Sequence, residues 1–338
     1  MPCLGSKPAF ARELGVSVAS LAALAAWTLL GFAVALPSGI LLLALFGRLH
    51  VVQHAYEDAP ATHQAKTGTP TMGGIVFVLA LLVALAVSPS TLLADLVFLV
   101  TLCAAIGAVD DLRKIGRGNN RGLRARTKLL ATALAAAIFM RSIANGTALF
   151  PRDVLFHAGN VWLVAPHWLW LVLGIFAVTA TVHAVNLTDG LDGLAVGTMI
   201  PPLGTLALIA AGAQVQAASI AASVGVGACL GFLPLNRHPA KLFMGDTGSL
   251  ALGALLAGGA ILSGEMLLVV VIGGVFVAEA LSVVLQVAYF KLTRGRRILR
   301  MSPLHHHFEL GGWPETKVTA RFWLASLFCS LLGWSIVR

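Results

Sequence analysis

The chain is poor in ionisable residues, yet a few short stretches gather carboxylates, amides and histidines at spacings that suit phosphate and cation chemistry. Asp110 and Asp111 are adjacent and are followed by Leu112-Arg113-Lys114. Neighbouring carboxylates repel and need a cation or a shared proton to coexist, and Mg2+ is typically held by one or two carboxylates plus substrate phosphates. The pair reads either as such a site or as a polar helix end meeting water. Asn186-Leu187-Thr188-Asp189-Gly190-Leu191-Asp192-Gly193 offers an amide and two carboxylates in one short run. As a helix, its steps of three fan Asn186, Asp189 and Asp192 over one face. As a loop, Gly190 and Gly193 admit close approach of a substrate. An EF-hand is excluded, because alternating ligands are missing and Ile200 stands where the closing Glu belongs. The plainer alternative is a capped turn.

Asp246, within Phe243-Met244-Gly245-Asp246-Thr247-Gly248-Ser249, reads equally as a helix N-cap and as a ligand holding a cation against a phosphate at a helix N-terminus. Ser302-Pro303-Leu304-His305-His306-His307-Phe308-Glu309 lacks zinc spacing. Its histidines are expected to donate hydrogen bonds to an anionic substrate, against the alternative of a solvated polar loop. Lys66-Thr67-Gly68-Thr69-Pro70-Thr71-Met72-Gly73-Gly74 is no P-loop. Pro70 suits the first turn of the next helix with Thr69 as its cap, and Lys66 is a candidate phosphate contact.

The elements that must position these residues are apolar. Of 338 residues, 58% are hydrophobic and only 11% charged, with a mean hydropathy of +0.89. A soluble domain carries about 25% charged residues. Too little charge remains to cover a water-facing surface, so the chain is expected to be an all-α polytopic membrane protein in which each helix satisfies its own backbone. Spans of about 20 apolar residues are predicted at 15–47, 72–88, 90–109, 128–147, 167–185, 190–212, 217–235, 248–264, 266–290 and 319–337. Pro37 invites a tilt or kink in the first, and Pro201-Pro202 should break or bend the sixth. Lys7, Arg12 and the run to Ala33-Val34-Ala35 mimic a signal peptide, but the apolar stretch continues to Phe46, too long for a cleaved segment. The four cysteines form no disulfide framework.

The net charge of +9 does not indicate a nucleic-acid partner, because the basic residues lie in loops between spans. Alternate loops hold 18 of the 23 Lys and Arg. The positive-inside rule makes that side cytoplasmic and sends both termini outward. Nine of the fourteen acidic residues share the same side. A site at the membrane–cytosol boundary is expected. A cation-coupled transporter would rather carry ionisable residues at mid-membrane, where only Glu279 qualifies.

These motifs, in this order, resemble the polyprenyl-phosphate N-acetylhexosamine-1-phosphate transferase superfamily. Thr69 to Gly74, Asn186 to Gly193 and Pro303 to Glu309 look like its branch that handles phospho-MurNAc-pentapeptide, and the likeness extends over residues 48 to 321. Relatives acting on N-acetylglucosamine-1-phosphate, the alternative reading, differ at the histidine stretch. Val51 to Tyr56 departs from the family's Gly-Gln-x-Ile-Arg segment, whereas His63 and Lys66 are retained. The resemblance implies a single membrane transferase domain over 1–338 in a bacterial cytoplasmic membrane, with homodimers known in the family. It implies transfer of phospho-MurNAc-pentapeptide from its UDP form to undecaprenyl phosphate, with UMP leaving and Mg2+ required. On that reading Asp246 and Asp189 are the expected metal ligands, Asp110 deprotonates or orients the lipid phosphate beside Asp111, and Asp192 is a positioning group. His305, His306 and His307 would hold phosphates or sugar. Lys66, Lys114, Lys128, Asn186, Asn236, Phe243 and Gln286 would line the nucleotide-sugar site, with Phe243 stacking on uracil.

Overall fold

The computed structural model describes residues 17–49, 51, 68–118, 122–145, 153–158 and 161–337. In chain order the helices are α1 (Val18–Leu49), α2 (Ile75–Val87), α3 (Thr91–Arg117), α4 (Ala125–Asn145), α5 (His167–Thr188), α6 (Leu194–Gly212), α7 (Gln216–Asn236), α8 (Gly245–Leu262), α9 (Val269–Ile272), α10 (Gly274–Leu292), α11 (Leu304–Glu309) and α12 (Glu315–Val337). Among the described residues nine helices are long and apolar enough to cross a membrane. The second expected span is the shorter apolar helix α2, of 13 residues. The ninth is divided at Gly273-Gly274 into the short α9 and the long α10.

α8 is the axis of the bundle, buried along nearly all its length, and it packs on α3, α5 and α7. α1 lies along α7, and α12 along α6. Phe77, Phe139, Phe232 and Phe276 are buried between the helices, with Phe77 and Phe232 edge to face at 5.4 Å. Outward faces of α1, α10 and α12 keep large apolar side chains exposed, the arrangement that lipid as solvent requires.

Helix ends follow local chemistry. Ser90 caps α3 by accepting the N–H of Leu93 at 3.2 Å, and Gly118 ends it with φ 60°. Neither α1 nor α6 breaks at its prolines. α1 runs unbroken through Pro37, and α6 through Pro201 and Pro202. A helical proline leaves the carbonyl four residues earlier without its donor. For Pro202 that carbonyl is on Thr198, and Ser326 Oγ of α12 donates to it at 2.7 Å. Packing thus satisfies what the sequence alone leaves open.

Thr69-Pro70 does not start α2. The helix begins at Ile75, and the residues before it pair with the segment leading into α8. Phe243 N donates to Pro70 O at 2.8 Å, Gly73 N to Phe243 O at 2.8 Å and Gly74 N to Met244 O at 3.0 Å. These inter-segment bonds take the amides that a first helical turn would leave unpaired.

An antiparallel hairpin of β1 (Val154–Ala158) and β2 (Val161–Val164), not expected from span arithmetic, follows α4. Its signal was present: apolar runs flank Gly159-Asn160, a two-residue turn pair. His157 of β1 stacks on Trp162 at 4.9 Å and sets Nδ1 2.7 Å from Oε1 of the buried Glu265.

Candidate active site

The candidate residues meet at one end of the bundle, where α3 ends, α4 begins, α5 ends and α8 begins. α3 carries Asp110, Asp111 and Lys114 over its last two turns, so all three share a face. Asp110 is buried; its Oδ1 accepts the N–H of Leu123 at 2.6 Å, and its Oδ2 lies 2.7 Å from Lys114 Nζ and 3.3 Å from Lys128 Nζ.

Asp111 does something different. Its Oδ1 accepts the backbone N–H of Asp246 at 3.1 Å. Its Oδ2 accepts the backbone N–H of Thr247 at 2.9 Å and the Thr247 hydroxyl at 2.7 Å. A carboxylate from another helix therefore caps α8, where unpaired N–H groups and the helix dipole both favour negative charge. Gly245 makes this possible: its φ is +69°, and a Cβ there would stand 2.5 Å from Asp111 Oδ2. Of the two readings of Asp246, the N-cap falls away. Met244 is the boundary residue of α8, and the capping carboxylate belongs to Asp111.

Freed from capping, Asp246 points into the cluster. Its Oδ1 accepts from Asn186 Nδ2 at 3.0 Å, and the same amide reaches Ser249 Oγ at 2.9 Å. Its Oδ2 lies 3.2 Å from Lys114 Nζ and in direct contact with Lys128 Nζ. Asp110, Asp111 and Asp246 each present a carboxylate oxygen within 4.8 Å of the others. Three carboxylates against two ammonium groups leave a formal excess of one negative charge. Asp189, at the C-cap of α5, adds to that pressure. Burial first, then the facing Asp246 and Asp111, push its carboxyl well above the usual carboxylate range.

One turn deeper, His183 of α5 places Nε2 3.1 Å from Thr132 Oγ1 of α4, and Thr132 donates to Lys128 O and Leu129 O at 3.0 Å. This rung lies directly beneath the one formed by Lys128, Asp246 and Asn186. Sequence reasoning missed it, although His183 precedes Asn186 by three residues, the spacing of one helix face.

The Asn186-to-Gly193 motif is part helix and part turn, and its acidic residues separate. Asn186 faces Asp246, whereas Asp192 joins a second group. Asp192 Oδ2 accepts the N–H of Ala240 at 3.0 Å and lies 3.1 Å from His238 Nδ1, while Asp192 N donates to Glu315 Oε1 at 2.6 Å. Asn236 supports the same turn: Gly193 N donates to its Oδ1 at 3.2 Å, and its Nδ2 donates to Leu242 O at 3.0 Å. Asn236 thus ties the end of α7 to the turn before α6. Phe243 is half-buried beside the Pro70 segment. Gln286 spends its amide on backbone, accepting from Ile298 N and Leu299 N and donating to Leu299 O, each at 3.0 Å. Lys66 and His63 lie outside the described residues.

The histidine stretch is helical rather than an open loop. In α11 His305 is buried, and its N–H donates to Glu279 Oε1 at 3.1 Å while Nδ1 stands 3.2 Å from Glu279 Oε2. Burial depresses the His305 imidazole below the ordinary histidine value, against the pull of Glu279. Its Nε2 faces Gly190, where any Cβ would collide with the ring. The histidine helix and the Asp189 turn are therefore in contact. The His306 ring lies tilted against that of His305, with centroids 4.2 Å apart, and sets Nδ1 2.9 Å from Glu309 Oε2. His307 Nδ1 accepts the N–H of Arg300 at 3.1 Å, which puts the ring proton on Nε2. Glu279, the mid-membrane residue that fitted a transporter, is engaged in holding this helix.

A buried carboxylate cluster neutralised by lysines, at one end of a membrane bundle and beside a histidine helix, suits transfer between anionic groups. The comparisons agree. The family described as glycosyl transferase family 4 matches residues 93–264. The chain is 45% identical over 318 residues to the phospho-N-acetylmuramoyl-pentapeptide-transferase of Desulforamulus reducens, covering 90% of this chain and 92% of that protein. It is 43% identical over 320 residues to the enzyme of the same name from Shouchella clausii, covering 91% and 97%. With that of Bacillus subtilis it shares 40% over 318 residues, covering 90% and 95%. The chain belongs to the phospho-N-acetylmuramoyl-pentapeptide-transferase family.

Proposed function

We infer that the protein transfers phospho-MurNAc-pentapeptide from UDP-MurNAc-pentapeptide to undecaprenyl phosphate, giving lipid I and UMP in peptidoglycan synthesis, at the cytoplasmic face of a bacterial inner membrane. The observation that carries the reading is the convergence of Asp110, Asp246, Lys114, Lys128 and Asn186 at one end of the bundle. The loops at that end hold most of the basic residues, which supports its cytoplasmic placement.

In the reaction an oxygen of the lipid phosphate attacks the sugar-linked phosphorus, a new P–O bond forms, and the bond to UMP breaks with its electron pair leaving on UMP. Two anions must meet, so positive charge must already be in place. Lys114 and Lys128 supply it as fixed ammonium groups. Asp110 and Asp246 hold those ammonium groups in position, and Asn186 fixes the rotation of Asp246. Asp111 acts on the site through the helix it caps. The histidines of α11, with the Nε2 proton of His307 as donor, stand beside the Asp189 turn to receive a phosphate or sugar oxygen.

Mg2+ fits this donor set. The oxygens are hard, three carboxylates lie close together, and the formal charge remains negative after both lysines are counted. Asp246 and Asp110 would hold the ion, with Asp189 adding negative charge beside Asp246. When bound, Mg2+ supplies Lewis-acid polarisation and charge neutralisation at the phosphates.

The test is direct. Purified protein in detergent with UDP-MurNAc-pentapeptide, a polyprenyl phosphate and Mg2+ should release UMP and form a lipid-linked sugar, and EDTA should stop it. Release of UMP from UDP-N-acetylglucosamine but not from the muramoyl substrate would overturn the substrate assignment.

A further inference from the structure

The segment that follows α10 has a composition and a placement that the transfer reaction does not use. Residues 291–300 contain Lys291, Arg294, Arg296, Arg297 and Arg300, and no acidic residue occurs between Glu279 and Glu309. All five basic side chains are exposed. Between them stand Leu292, 84% exposed, and Ile298, 57% exposed. Water does not favour that pairing of bare apolar and cationic groups, whereas a membrane interface does, because apolar side chains enter the acyl region while cations meet headgroups.

The preceding helix sets the depth. α10 has 19 residues, about 28 Å of helix, and Leu281, Val284, Leu285, Val287 and Phe290 leave its outer face apolar and exposed. With α9 and Gly273 before it the span runs from Val269 to Leu292, about 36 Å of helix, longer than the hydrocarbon layer of about 30 Å, so its last turn reaches headgroup level. Gln286 binds the backbone of residues 298 and 299 through three hydrogen bonds and draws them back alongside α10. Gln286 lies six residues before the end of that helix, about 9 Å along it. Ile298 is thereby lowered towards lipid with arginines on both sides of it in sequence. The far end is anchored as well: Arg300 Nη1 donates to Leu310 O at 2.6 Å, and Arg300 N to His307 Nδ1.

We propose that residues 291–300 form a folded seat for anionic phospholipid headgroups of the surrounding leaflet. Arg294, Arg296 and Arg297 are its phosphate contacts, Ile298 and Leu292 its acyl-chain contacts, and Gln286 the residue that shapes it. Clusters of four or more basic residues beside a span attract anionic lipid, each charge strengthening association roughly fivefold. Because Arg300 joins the seat to His307, an occupied seat also braces the histidine helix.

The protein reconstituted in nanodiscs of equimolar phosphatidylglycerol and phosphatidylcholine tests this with spin-labelled lipids. The wild type should immobilise labelled phosphatidylglycerol in preference to labelled phosphatidylcholine. The triple variant R294Q/R296Q/R297Q should lose that preference by a factor of about five or more. An unchanged preference in it would overturn the proposal. Gln286→Leu keeps every charge but removes the three hydrogen bonds. Loss of preference in it is the expected result, and full retention would overturn a folded seat in favour of diffuse charge attraction. Displacement of the labelled phosphatidylglycerol by stoichiometric polyprenyl phosphate would assign the seat to the lipid carrier and overturn the phospholipid assignment. The three arginines are exposed, and single substitutions, each expected to lower the preference, carry the same test if the triple variant does not fold.

Discussion

Asp111 and Asp246 are joined through backbone: Asp111 Oδ1 accepts the amide N–H of Asp246 at 3.1 Å. The two neighbours Asp110 and Asp111, alike in sequence, therefore divide their work. Asp110 faces the lysines, and Asp111 holds the first turn of α8 so that the Asp246 side chain enters the cluster.

This division predicts different costs. Asp111→Asn turns an amide donor or a weaker acceptor towards two N–H groups and a hydroxyl, and should cost about 2 kcal/mol of stability together with activity. Thr247→Val removes only the hydroxyl partner and should cost about 1 kcal/mol. Thermal melts of the single and double variants measure the coupling. Additive losses would show that the contact between the Thr247 hydroxyl and Asp111 is not formed.

Asp246→Asn retains size and one acceptor but removes the charge shared by Lys114 and Lys128. Turnover should fall by about a hundredfold or more in protein that still melts cooperatively. Near-normal UMP release would remove Asp246 from the reaction.

His183 is expected to act as a positioning residue for Lys128. His183→Ala should lower kcat by roughly tenfold with little change in KM for the nucleotide sugar, and Thr132→Val should do the same. The double variant should be no worse than either, because both break one contact. Equal loss in a variant that also shifts KM would point to a role in substrate binding instead.

α11 should respond to pH through His305. Its folded-state pKa lies below the ordinary histidine value because burial disfavours the charged ring. The unfolded chain then binds the proton first as pH falls below about 6.5. Stability of α11 is full above that value and is lost as pH drops towards the folded-state pKa. Protection factors of residues 304–309, in which the intrinsic slowing of amide exchange at lower pH is divided out, should fall across that window, and His305→Gln should flatten the response. Protection factors that rise at the acidic end would contradict this assignment.

Sidedness is testable with single cysteines. Gly116 and Gly212 both have open space around a Cβ and lie at opposite ends of spans. In protein lacking its native cysteines, Gly116→Cys should react with an impermeant thiol reagent in inside-out vesicles, and Gly212→Cys in right-side-out ones. The reverse pattern would place the carboxylate cluster on the outer face, away from cytosolic nucleotide sugars.

The helices were legible from sequence because lipid imposes a local rule. Any stretch of about 20 apolar residues must satisfy its own backbone whatever surrounds it, and the long helices fall where the apolar runs fall. The site motifs were legible for the complementary reason, since carboxylates, lysines and histidines stand out among apolar residues. What each one does was not legible. Asp111 and Thr247 are 136 residues apart, and their contact depends on how α3 and α8 cross and rotate. The same holds for His183 against Thr132, for Asp192 turning towards His238 and Glu315, and for Gln286 spent on residues 298 and 299. Only packing gave Thr198 a donor from Ser326 and let α6 continue through two prolines. Composition and periodicity record what each segment needs from its solvent. The pairing of side chains across helices is decided by distances that exist only once the bundle is assembled.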